Sequence, residues 1–170
     1  MFRTTPGPKV VGPRDGKAGS LGSIGVRFII GTEETHEGGF SLVEHPMPPR
    51  ALAAPLHRHS REDEYSYVLE GRMGALLGDD VVYAGVGDLV HKPRDQWHTF
   101  WNAGDEPCRI LEIIAPGGFE NFFDELVDAV GGGAPDPETM QDLFVRYGIE
   151  HDLESIPVLC ERFGVTFGSA

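Results

Sequence analysis

Between Ser23 and Ile114 the apolar residues fall into short runs at residues 24–30, 40–45, 65–69, 73–77, 81–83, 88–90, 98–101 and 109–114. Turn formers punctuate them: Gly31, Pro46 to Pro49, Glu70-Gly71, Gly78-Asp79-Asp80, Gly85 to Gly87, Pro93 and Asn102 to Gly104. Short β-type runs at close, regular intervals predict an all-β sandwich or barrel. After Pro116 the period changes. Phe119, Phe122, Phe123, Leu126, Val127 and Val130 recur at helical spacing, ahead of Gly131-Gly-Gly133. Asp136-Pro137 reads as an N-cap with Pro at the first helical position, opening a second helix that stops at Gly148. A third runs from Ser155 to Phe163 and stops at Gly164. Three segments follow: an irregular arm over 1–22, a β-barrel over 23–115 and a helical extension over 116–170 packed on the barrel.

Composition narrows the partners. The net charge of −13 divides into +1 over residues 1–50, −5 over 51–115 and −9 over 116–170. Nucleic acid and anionic membrane both need a basic surface, so neither is expected as a partner. The acidic helices read as a solvated coat. Cys108 and Cys160 are too few for a disulfide framework, which fits a reducing compartment, and they read as apolar fillers. No signal-length or membrane-length apolar run occurs, and a cytoplasmic protein is expected.

Candidate chemistry lies in the β region. His57 and His59 are two residues apart, which on a strand places both imidazoles on one face, half of a metal site. Glu64 follows with room for the chain to bend back, and Gly71 permits a reversal. Downstream, Gly87, Pro93, His98 and Asn102 supply two turns, a third imidazole and a strand end. Alone, His-x-His is weak; the joint pattern is strong.

These residues resemble the cupin family. Its first motif matches His57, His59, Glu64 and Gly71, and its second matches Gly87, Pro93, His98 and Asn102, with the short stretch 72–86 between them. The helix opening at Pro116-Gly-Gly-Phe-Glu-Asn-Phe-Phe123 is similar to the tail of single-domain, quercetin dioxygenase-like cupins. Ala51 and Asp95 stand where the motifs carry Gly, which bears on local loop shape. The resemblance implies an all-β core, a double-stranded β-helix (jelly-roll) barrel with C-terminal α-helices. It also implies one divalent transition metal ion per chain (Fe, Mn, Ni, Co, Cu or Zn) on His57, His59, Glu64 and His98. Four protein ligands on an octahedral ion leave two neighbouring positions open, a reactive arrangement. Glu64 is then both ligand and candidate catalytic base.

The expected activity is that of an oxidoreductase, a dioxygenase acting on an uncharged aromatic or enediol-type small molecule. The alternatives are a metal-dependent isomerase or polyketide-type cyclase, and a non-catalytic small-molecule-binding cupin. Strand parity puts Phe100 on the face of His98, and Ser66 and Val68 on the face of Glu64, making these three the candidate substrate contacts. Glu62 and Asp63 read as solvated turn charges, and His36, His45, His91 and His151 as surface or satisfied core histidines. Parity leaves Glu112 either in solvent or inside the barrel. Trp97 and Trp101 point to the opposite face from His98. Outward aromatics there, together with Tyr65 and Tyr67, suit a helix cover or the homodimer that the family resemblance implies.

Overall fold

The computed structural model describes residues 9–35, 38–131 and 136–168, so His36 and Gly132-Gly133 lie outside the described residues. The strands are β1 (Ala18–Ser20), β2 (Gly25–Ile30), β3 (Ser41–Met47), β4 (Leu56–His59), β5 (Asp63–Glu70), β6 (Arg72–Leu77), β7 (Asp80–Gly85), β8 (Leu89–Lys92), β9 (His98–Asn102), β10 (Cys108–Ala115) and β11 (Ile149–Asp152). The helices are α1 (Glu120–Gly131), α2 (Pro137–Tyr147) and α3 (Ser155–Phe163). One sheet runs β1-β2-β3-β10-β5-β8 and the other β11-β4-β9-β6-β7. The paired strands are antiparallel throughout, and the two sheets face each other as a jelly-roll core.

Alternation makes the interior. On β10 every second residue is buried (Cys108, Ile110, Glu112, Ile114), and on β5 the buried set is Glu64, Ser66 and Val68. Val68, Met73, Ala75, Phe100 and Ile110 interlock between the sheets as one apolar cluster. The β5–β6 reversal depends on Gly71, at φ +75°, where a Cβ would sit 2.6 Å from the Pro107 carbonyl oxygen. No other residue fits there without moving backbone.

The helices cover two different surfaces. On the outside of the five-stranded sheet, α3 packs Leu159 and Phe163 against Leu52, Leu76 and Trp101, with the Phe163 and Trp101 rings stacked at 4.0 Å. Trp101 therefore faces away from the barrel interior, as parity requires. Phe119, Phe122, Phe123 and Leu143, just before and along α1 and α2, pack instead with Val43, Ile114 and Ile149 at one end of the barrel. Both predicted stops form: Gly148 and Gly164 adopt φ +68° and +62°, and their N–H groups close the last turns of α2 and α3. The Asp136 side chain accepts from the N–H groups of Glu138 and Thr139. Among the described residues no helix is long and apolar enough to cross a membrane.

Three strands escape the hydrophobic pattern: β4, marked only by its His-x-His spacing, and two with no such mark. Ala18-Gly-Ser20 carries no side chain that could signal a strand, yet its backbone pairs with β2, so the region read as an irregular arm includes a strand. Ile149-Glu-His-Asp152 is too short and polar to show alternation, and becomes β11 by completing the edge of β4. The helical extension therefore also contributes a strand to the second sheet, held there by Arg58 Nη2 donating to both Glu150 oxygens at 2.7 and 2.9 Å.

Candidate metal centre

Three imidazoles come from one sheet and the carboxylate from the other. On β4 the inward positions are His57 and His59, and His57 stands directly opposite His98 on the neighbouring β9. Glu64 is the first inward residue of β5 across the barrel. All four are buried, and one donor atom from each lies within 4.8 Å of the rest. Glu64 Oε2 is 3.2 Å from His98 Nε2 and 3.6 Å from His59 Nε2.

Backbone carbonyls fix which nitrogen faces inward. His57 Nδ1–H donates to the Pro55 carbonyl at 2.8 Å and His98 Nδ1–H to the Gln96 carbonyl at 2.9 Å. Each Nε2 therefore presents a lone pair to the cluster. Burial, then the charges of His98 and His59, holds His57 well below its ordinary pKa, and burial pushes His59 down to about 4. Neutral imidazole is the form that binds metal. Burial alone would raise Glu64, but the Lys92 ammonium at 3.1 Å, then His59 and His98, keeps its carboxyl well below the usual range.

The donor set fits one divalent cation. Both ring nitrogens of His59 are buried without a hydrogen-bond partner among the described residues, a cost that a metal on Nε2 would relieve. Two opposed donors on one ion stand roughly 4 Å apart at ordinary bond lengths, so the spread of the four atoms needs only slight closure. Mixed imidazole and carboxylate ligands suit a borderline transition metal and do not choose among them.

Asp95, which stands where the family motif has Gly, adopts φ +63°. Its N–H donates to the His59 carbonyl at 2.7 Å, tying the turn before β9 to the end of β4. Asp enters the left-handed region more readily than most residues, so the departure leaves the loop intact.

Three readings of acidic residues change or sharpen. Glu62 is not a solvated turn charge: it is buried, its Oε2 lies 3.9 Å from His59 Nδ1, and burial pushes it up to about 7. The bend before β5 turns Glu62 inward beside the ligand it precedes. Asp63 does remain at the surface, paired to Arg94 at 2.7 Å, and that bond pulls it down to about 2. Glu112 lies inside the barrel, 1% exposed. Its Oε2 accepts from Ser66 Oγ at 2.7 Å and from Lys92 Nζ at 3.0 Å.

Lys92, 1% exposed, is the residue that the sequence reading missed. It follows His91 and precedes Pro93, outside the motif positions. The usable signal was parity with Val90, since both are inward on β8.

Beside the cluster lies a cavity of about 340 Å³. His57, His59 and Glu64 are on its wall with Phe100, Phe119, Phe122, Phe123, Phe144 and Met140. Phe100 stands where parity predicts. Ser66 and Val68 share Glu64's face but not the cavity: Ser66 is engaged by Glu112, and Val68 belongs to the intersheet core. Parity assigns a face and carries no information on depth along the strand. His45 is a satisfied core histidine, its Nδ1–H donating to the Gly25 carbonyl at 2.9 Å, and it also lines the cavity. His151 lines the cavity too, its ring centroid 3.9 Å from that of Phe144 with the planes tilted by 33°. His91 instead stacks on Tyr65 outside the barrel. The Trp97 ring lies under the Arg58 guanidinium, and Tyr67 is exposed.

A family model described as a cupin domain matches residues 43–114, the stretch holding all four candidate ligands. Quercetin 2,3-dioxygenase of Bacillus subtilis (strain 168) is 27% identical over 106 residues, 61% of this chain. The aligned stretch spans 30% of that protein's length. The solved structure of the polyketide cyclase RemF from Streptomyces resistomycificus is 30% identical, with a TM-score of 0.54, over 64% of this chain and 79% of that one. A sugar phosphate isomerase from Silicibacter pomeroyi superposes with the same TM-score at 21% identity, over 64% and 75% of the two chains, a likeness of fold.

Proposed function

The chain belongs to the cupin family, and we propose that within it this protein is a metal-dependent dioxygenase acting on an uncharged aromatic or enediol-type small molecule. The observation that carries the reading is that three members of the His57, His59, Glu64 and His98 cluster, His57, His59 and Glu64, stand on the wall of an apolar, phenylalanine-rich cavity. His57, His59, Glu64 and His98 would hold the ion. When bound, the metal supplies a Lewis acid for a substrate oxygen and, if redox-active, electron exchange with dioxygen.

The rest is work for the chain's own residues. The phenylalanines take the ring system and exclude water, which strengthens every electrostatic contact inside. Phe100, on the cavity wall, has its ring centroid 4.4 Å from Lys92 Nζ. Lys92 keeps Glu64 anionic, so that a carboxylate oxygen can take the proton of a substrate hydroxyl. The small organic substrate of the dioxygenase relative is the model for this class.

The test is oxygen uptake by protein reconstituted with Fe(II), Mn(II), Ni(II), Co(II) or Cu(II), using flavonols and other enediol compounds. Uptake with at least one metal is expected; none with any pair overturns the proposal. The likeness to a polyketide cyclase, over more of both chains than the dioxygenase alignment covers, favours a second reading in which the metal acts only as Lewis acid. Turnover of a polyketide-like substrate by Zn(II)-loaded protein under strict anaerobiosis would select it.

A further inference from the structure

Beyond the four candidate ligands, the cavity wall carries a second carboxylate. Glu112 is fully buried, and its two oxygens differ. Oε2 is saturated, accepting from Ser66 Oγ at 2.7 Å and Lys92 Nζ at 3.0 Å. Oε1 is buried with no hydrogen-bond partner among the described residues. A partnerless carboxyl oxygen inside a barrel is costly, because burial strips it of water without returning a hydrogen bond. Lys92 also lies 3.1 Å from Glu64 Oε2, so one ammonium bridges the candidate ligand and Glu112. Around them the wall is mostly hydrocarbon. An oxygen so placed is an acceptor waiting for a donor from whatever fills the cavity.

We propose that Glu112 is a second anchor for the bound molecule: its Oε1 accepts a hydrogen bond from a ligand hydroxyl, apart from the oxygen that reaches the His57, His59, Glu64 and His98 cluster. Lys92 and Ser66 act as positioning residues that hold Oε2 and thereby leave Oε1 free. The ligand class is an apolar, ring-bearing molecule with at least two oxygen functions, one of them a free hydroxyl. Molecules in which that hydroxyl is replaced by a methyl group or masked as an ether are discriminated against. The inference rests on reading this cavity as the substrate site, and its test uses neither metal nor dioxygen, so it can fail independently of the dioxygenase activity.

The probes are naphthol and its methyl isostere, methylnaphthalene, titrated by calorimetry or fluorescence into the chelator-treated full chain. The readout is the ratio of the two dissociation constants in the wild type, Glu112→Gln and Glu112→Leu, each variant first checked for folding by circular dichroism. In Glu112→Gln, Lys92 and Ser66 retain the amide oxygen at the Oε2 position, so the amide nitrogen replaces Oε1 and an acceptor becomes a donor. Both variants are expected to shift the ratio against naphthol by about tenfold, the worth of the lost hydrogen bond. Methylnaphthalene should bind as well as before or better. An unchanged ratio in Glu112→Gln overturns the proposal, and so does a wild-type protein that binds neither probe.

Discussion

The two sheets that face each other across the barrel bring opposite chemistry to the same point. The five-stranded sheet contributes the imidazoles of His57, His59 and His98, and backbone carbonyls just ahead of their own strands set the tautomers of His57 and His98. The six-stranded sheet contributes the charge: Glu64, Lys92 and Glu112, three ionisable groups on three strands with Ser66 between them. The difference shows how a barrel keeps charge inside. Imidazoles tolerate burial by losing a proton, whereas carboxylates need a cation, and Lys92 is shared between two of them. A divalent ion held at the seam would complete what one ammonium leaves uncompensated.

Breaking the neutral side should have the largest effect. His98→Ala removes a ligand and its contact with Glu64 but leaves the Lys92 pairing of Glu64 and Glu112 in place, so bound metal, measured by elemental analysis, should fall from one ion per chain to near none while the fold persists. Breaking the charged side comes next. Lys92→Met leaves Glu64 and Glu112 buried without their cation, and denaturant unfolding should show a loss of roughly 3–5 kcal/mol. Adding Glu112→Gln to Lys92→Met should recover part of that loss, because one of the two orphaned charges is then gone.

A smaller effect concerns His45, a histidine on the charged sheet's β3. Burial pushes its pKa down to about 4; the Gly25 bond opposes this, Lys92 adds to it, and Glu64 and Glu44 oppose it. The folded state therefore binds its proton less readily than the unfolded chain, whose ordinary value is 6.5. Its stability contribution is intact above pH 6.5 and is lost as the pH falls toward 4. His45→Phe should reduce the drop in unfolding free energy between about pH 7 and pH 5 by roughly 2 kcal/mol. The smallest effect is expected at Asp63, next to two buried glutamates in sequence yet paired with Arg94 at the surface. Asp63→Asn should leave metal content unchanged and shift stability by no more than about 1 kcal/mol.

The neutral side was the legible side. His57 and His59 announce themselves by a two-residue spacing that survives any detail of packing, and Glu64 and His98 by their distances from glycines and a proline that the chain needs for its turns. The charged side was half hidden. Alternation allowed Glu112 to be inside or outside and could not decide, because a buried carboxylate requires a partner, and that partner comes from β8, a distant part of the sequence. Lys92 itself, between His91 and Pro93, stands outside every motif that the sequence offers. Glu62, Asp63 and Glu64 are consecutive and chemically alike, yet a bend turns Glu62 inward and strand parity turns Glu64 inward, leaving only Asp63 at the surface. The helical period after Pro116 was plain, but nothing local said that α1 and α2 would close the cavity while α3 covered Trp101 on the outer face. Those placements are set by which barrel surface was left apolar, a property of the assembled sheets.

The two sheets together form a cluster suited to one metal ion, with Glu64 as the charged sheet's share. Calorimetric titration of Mn(II) or Zn(II) into chelator-treated wild type and Glu64→Gln tests it directly. One ion per chain in the wild type, with affinity weakened by about a hundredfold or more in Glu64→Gln, is the result predicted. Equal affinity in the two proteins, or no binding by the wild type, would contradict it.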